Sequence, residues 1–150
     1  MVGFPKVLNF ISYHLGFYMY VDASSRKPGE KARLLTPLMP KTTSKCFEFW
    51  YHMYGSAVRS FNLYKKTGSS VGVRIWSKSG NQGDEWLAAR VSVWSPLRAF
   101  RLSFEATVGG STGDIAIDDV QIFDGKCAVP GMYIEIWDGI WEILIAFPFL

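Results

Sequence analysis

The stretch "CFEFWYHMY" alternates without a break. Phe47, Phe49, Tyr51 and Met53 fall on one side of an extended chain, and Glu48, Trp50, His52 and Tyr54 on the other. "FRLSFEA" does the same, setting Phe100, Leu102, Phe104 and Ala106 inward against Arg101, Ser103 and Glu105. A period of two dominates the chain, and no helical period persists for three turns. Weaker alternating runs are "FYMYVD", "ARLLTP", "RSFNLYKK", "SVGVRIWS", "LAARVSV" and the opening segment. Turn signals separate them: "SSRKPGE", "MPKTTS", "KKTGSS", "SKSGNQGDE", "WSPL" and "VGGSTGD". About eight strands, each with one apolar face, predict an all-β, antiparallel two-sheet β-sandwich.

One strand breaks its own rule. In "GDIAIDDVQIF", Ile115 and Ile117 share a face, whereas Val120 and Ile122 fall on the other parity. A β-bulge absorbs such a shift, and it belongs at Asp118 and Asp119. The expectation is that the bulge lets one of the two aspartates turn inward. With Asp114 nearby, these carboxylates are candidates for holding a hard cation. Their spacing is not that of an EF-hand loop, and acceptance of backbone N–H bonds is the alternative.

The chain has 150 residues, 49% of them hydrophobic, which suits one globular domain with a sizeable core. Residues 16–127 hold 15 Lys/Arg and 10 Asp/Glu, a net +5, with no basic run longer than Lys65-Lys66. That scatter reads as a solvated surface and argues against nucleic-acid binding. Residues 128–150 carry Glu135, Asp138 and Glu142 and no base. There "IWDGIW" offers a hairpin turn, but it would place Glu135 opposite Glu142. A segment without a partner in the domain is the preferred reading. The last uncharged run, Ile143 to Leu150, is far short of the roughly 20 residues that span a membrane. The opening "MVGFPKVLNFISYHL" lacks the features of a secretory signal. Cys46 and Cys127 match no metal spacing, and composition leaves buried thiols and a long-range bridge equally open.

Catalytic constellations are thin. His52 has no nucleophile motif beside it. Glu48 and Glu105 are candidates for paired glycanase carboxylates, but solvated outward charges are the plainer reading. The outward row of Trp50, His52 and Tyr54 is a candidate contact face, and the parity of Trp76 places it with them.

Five segments in order, "GFYMYVDAS", "ARLLTPLMP", "CFEFWYHMYG", "WSKSGNQGDEWLAARV" and "FEATVGGSTGDIAIDDV", followed by a closing Cys, resemble the MAM domain of meprins, neuropilins and receptor tyrosine phosphatases. The resemblance runs from Gly16 to Cys127. It implies a sandwich of jelly-roll type, a disulfide between Cys46 and Cys127, and a non-catalytic role in adhesion or recognition. The setting it implies is extracellular, in a secreted protein or a membrane-protein ectodomain. The implied partner is a protein, homophilic contact included. A carbohydrate-binding sandwich using the aromatic face is the alternative. In some members the matching strand contributes oxygens to a cation site, which makes Asp118 and Asp119 this chain's share, with Asp114 weaker.

The family's usual opening, a Cys-x-Phe-Glu strand with a second Cys and a Trp stretch, has no counterpart in residues 1–15. The expectations are therefore an atypical segment over 1–15, a domain over 16–127 that lacks its first strand and first cysteine pair, and an apolar tail over 128–150. The cation site, for Ca2+ or a similar ion, would be half built. Loss of that early strand would leave its neighbour with unpaired backbone groups. A truncated product or alternative isoform of a larger extracellular protein is the simplest origin.

Overall fold

The computed structural model describes residues 9–13, 16–128, 132–137 and 140–145, and side chains from 18 to 128. Nine strands build two sheets. They are β1 (Asn9–Tyr13), β2 (Gly16–Val21), β3 (Lys31–Leu35), β4 (Thr42–Tyr54), β5 (Val58–Lys66), β6 (Val73–Ser79), β7 (Gly83–Ser95), β8 (Arg101–Val108) and β9 (Asp114–Asp124). The first sheet runs β1-β2-β9-β4-β7 and the second β3-β8-β5-β6. Every pairing in them is antiparallel.

The alternation that predicts the strands also builds the core. From β4, Phe47, Phe49, Tyr51 and Met53 are all buried, and from β8 so are Leu102, Phe104 and Ala106. The ring of Phe49 meets Phe104 of the opposite sheet edge-on, with centroids 5.2 Å apart. One outward assignment is corrected. Trp76 packs into this core, its ring centroid 5.1 Å from both Phe49 and Tyr51. The register explains it: Leu63 pairs with Trp76 but Tyr64 pairs with Arg74. The extra residue, Ile75, shifts the parity so that Ile75 and Trp76 both pack against the core.

The bulge in β9 is present where parity requires it. Glu48 pairs with Gln121 and Trp50 with Asp118, so β9 carries one residue more than β4 between these points. Asp119 absorbs the excess in a left-handed conformation with φ of 47°, and its N–H donates to Asp118 Oδ1 at 2.8 Å. Beyond it, Ile122 comes opposite core-facing Phe47. Neither aspartate turns inward, contrary to expectation. Asp118 stands across from outward Trp50, and Asp119 is exposed. The backbone flip itself restores the parity, so no carboxylate has to enter the core. Asp119→Val is expected to cost about 1–2 kcal/mol in chemical denaturation, because a β-branched residue is strained at positive φ, while Asp119→Gly should leave stability nearly unchanged.

The N-terminal end also differs from expectation. β1 pairs along β2, from Asn9 opposite Tyr20 to Tyr13 opposite Gly16, so the segment read as atypical supplies a strand to the first sheet. Two further strands, β10 (Met132–Trp137) and β11 (Ile140–Ile145), pair with each other in a separate two-stranded sheet. Glu135 does face Glu142. The hairpin register is thus the one the sequence made unfavourable. Among the described residues these strands pair with neither main sheet, and Asp138 and Gly139 lie outside them.

Candidate functional site

The bridge that the resemblance implied is present: Cys46 and Cys127 are joined, with Cα atoms 4.7 Å apart. Cys46 lies between Phe123 of β9 and Ser92 of β7 in the register. The Cys127 N–H donates to Ser92 Oγ at 3.0 Å. The chain leaving β9 is therefore turned back over the outward face of the first sheet and tied there.

Farther along that face lies a cup of about 540 Å³. Its floor is Ala116, which stands between Tyr20 of β2 and His52 of β4 in the register. Because this central residue is small, the larger rings on either side close above it. Tyr18 of β2 meets Trp86 of β7 edge-on at 5.4 Å, spanning the two strands between. Trp86 lies 5.6 Å from the His52 ring, and His52 lies 6.2 Å from Tyr54. At one end, Tyr54 pairs with Asp114. That junction needs two glycines: a Cβ on Gly55 would come within 2.3 Å of the Gly113 backbone.

The rim is acidic. Among the described residues, Asp22 and Asp114 line the cup and no Lys or Arg does. Hydrogen bonds from the Ser24 side chain and backbone hold the Asp22 carboxyl below its ordinary range, with Arg26 adding to them against a small opposing effect of burial. His52 Nε2 lies 3.1 Å from Asp84 Oδ1, which fixes the ring that forms one wall. The surface is an aromatic recess with negative charge at its mouth, suited to a cationic or neutral group.

The row read from sequence is only part of this. His52 and Tyr54 line the cup, while Trp50, 45% exposed, stands outside its lining. Tyr18, Tyr20 and Trp86 went unrecognised, although the "FYMY" alternation placed the two tyrosines on one face.

The proposed glycanase pair is ruled out by topology. Glu48 is on the outward face of the first sheet, paired with Arg90 at 2.8 Å. Glu105 is on the outward face of the second, so the whole sandwich separates them. Glu105 is also not the solvated charge expected; it is buried. Burial pushes its carboxyl up, but the hydrogen bonds from Lys31 at 2.8 Å and Arg33 at 2.6 Å outweigh that and hold it below the usual glutamate range. A depressed folded-state pKa stabilises above the unfolded value, and the contribution is lost as pH falls through the folded one. Glu105→Gln should therefore lower stability by about 1.5 kcal/mol near neutrality, the low end for charged hydrogen bonds because both cations are half exposed. The gap from the native chain should close in acid, read as thermal midpoint against pH.

Asp118 and Asp119 are adjacent on β9, as the sequence requires. Among the described residues, no three His, Cys, Asp or Glu side chains gather as a metal site. Asp114 lies four strand positions from Asp118, about 13 Å away, too far to share an ion.

A family model described as "MAM domain, meprin/A5/mu" matches residues 9–128. Human MAM domain-containing glycosylphosphatidylinositol anchor protein 2 is 44% identical over 126 residues, covering 75% of this chain and 13% of that protein. Neuropilin-1 of Xenopus laevis is 37% identical over 123 residues, covering 77% of this chain and 13% of its own length. The chain thus spans about an eighth of these relatives. Among solved structures, a Family 16 Carbohydrate Binding Module-2 superposes with a TM-score of 0.54 at 9% identity, covering 78% of this chain and 85% of that one, which establishes the shared jelly-roll sandwich fold. By the span of the family match and by its identity to these relatives, the chain belongs to the MAM domain family.

Proposed function

We propose that this chain is a non-catalytic extracellular recognition module whose aromatic cup receives a basic side chain from a protein partner. The observation that carries this reading is the make-up of the cup: Tyr18, Trp86, His52 and Tyr54 as walls, acids at the rim and, among the described residues, no Lys or Arg in the lining. A lysine or arginine entering it would gain cation–π contact and charge complementarity together. A second copy of the chain is one such partner. The Cys46–Cys127 bridge supports an oxidising, extracellular setting.

Glycan binding at the same face is the second reading, favoured by exposed Trp50. Against it, the Tyr18 and Trp86 rings meet at 72° and form no flat platform for a sugar ring. The two are separated by probing a panel of cell-surface ectodomains, this chain included, beside an array of neutral oligosaccharides. Capture of an ectodomain with a silent array supports the proposal. Glycan binding lost in Trp50→Ala would replace it.

A further inference from the structure

The basic residues that look scattered along the chain are gathered by the second sheet. Lys66 pairs directly with Arg101, Tyr64 with Arg74, and Arg33 with Glu105. Arg101 alternates with fully buried Leu102, so Arg101 and its partner Lys66 face outward. Lys31 and Arg33 reach the same face by clasping Glu105. Lys31, Arg33 and Lys66 line a cleft of about 420 Å³, with Tyr64, Ser103 and Glu105 beneath them. Arg101 and exposed Arg74 extend it across the sheet.

We propose that this face binds a linear sulfated glycan. On the outward rows of these strands, Glu105 is the only acid beside five cations, and its carboxylate is already engaged by two of them. No ion pair with a described residue involves Lys66, Arg74 or Arg101. Placing Lys66 opposite Arg101 is unfavourable in a bare sheet, and an anion lying across both reverses the sign. From Arg33 on β3 to Arg74 on β6 there are three inter-strand steps, about 14 Å. A single small ion cannot satisfy that length, whereas anionic groups repeated along a chain can. Tyr64 is the one aromatic on these rows, so the face offers no series of stacking platforms for nucleic-acid bases. The choice of a glycan over other polyanions rests on the extracellular reading above; the site is on the opposite sheet from the cup and independent of it.

The test is binding of the full chain to an immobilised heparin-derived hexasaccharide at graded salt. The expected result is an affinity that falls steeply with salt and drops about tenfold or more in the combined Lys66→Ser, Arg74→Ser, Arg101→Ser variant. Trp86→Ala, which alters only the cup, should bind the hexasaccharide as the native chain does. Should the combined variant fail to fold, Arg74→Glu alone, at an exposed position, should still weaken binding several-fold. No binding, or binding indifferent to these changes, would overturn the proposal. So would equal affinity for the desulfated sugar or for an oligonucleotide of matched charge. That last outcome removes the glycan assignment, whereas failure of the cup to capture a protein leaves the basic face untouched.

Discussion

Replacing Cys46 and Cys127 together by alanine is expected to lower the free energy of unfolding by roughly 4 kcal/mol. The bridge closes a loop with a sequence separation of 81 residues. That loop takes in every strand from most of β4 to the end of β9, so the unfolded chain loses much of its freedom when the bond forms. Denaturant unfolding of the oxidised chain, of the reduced chain and of the double variant checks this. Reduced and double-variant chains should agree with each other. A loss below about 1 kcal/mol would mean that the sheets hold the closing segment without the bond.

Phe49→Ala is expected to cost about 3–5 kcal/mol. Phe49 is buried at 1% exposure, on a central strand of the first sheet. Its ring meets Phe104 and Trp76 of the second sheet at 5.2 and 5.1 Å. Removal opens a cavity at the junction of the two sheets, where no neighbouring backbone can collapse to fill it. Phe49→Leu, which keeps most of the volume, should cost clearly less. Equal small effects for both, in the same unfolding assay, would mean that the sheets do not meet through this ring.

Local alternation made most strands and the core faces of β4 and β8 legible, because parity is a property of neighbouring residues. The bulge at Asp119 was legible for the same reason: the apolar residues on either side of it fall out of step. The bulge at Ile75 was not, since Val73, Ile75 and Trp76 leave no polar residue to mark the slip. Its consequence was the misplacement of Trp76. Thr42 to Ser44 read as the end of a turn by composition, yet β4 begins at Thr42, which pairs with Ser95, and the sheet overrides the local preference.

The candidate surfaces were legible only as far as one strand extends. His52 and Tyr54 share a row on β4, and alternation shows that. Tyr18, Tyr20 and Trp86 join them only because β2, β9, β4 and β7 are neighbours in space, an order that no stretch of sequence carries. The basic face is hidden in the same way, since its five cations come from four different strands. Glu105 looked solvated because nothing adjacent to it in the chain announces Lys31 and Arg33.

The cup on the first sheet is the proposed recognition surface. Its most direct test is the ectodomain panel, this chain included, probed with a Tyr18→Ala, Trp86→Ala double variant beside the native protein. Both rings stand on the outward face, so the variant should keep a cooperative unfolding transition. The ectodomain captured by the native chain should be lost, with affinity down about tenfold or more, as for the removal of aromatic hot spots. Undiminished capture by a folded double variant would contradict it.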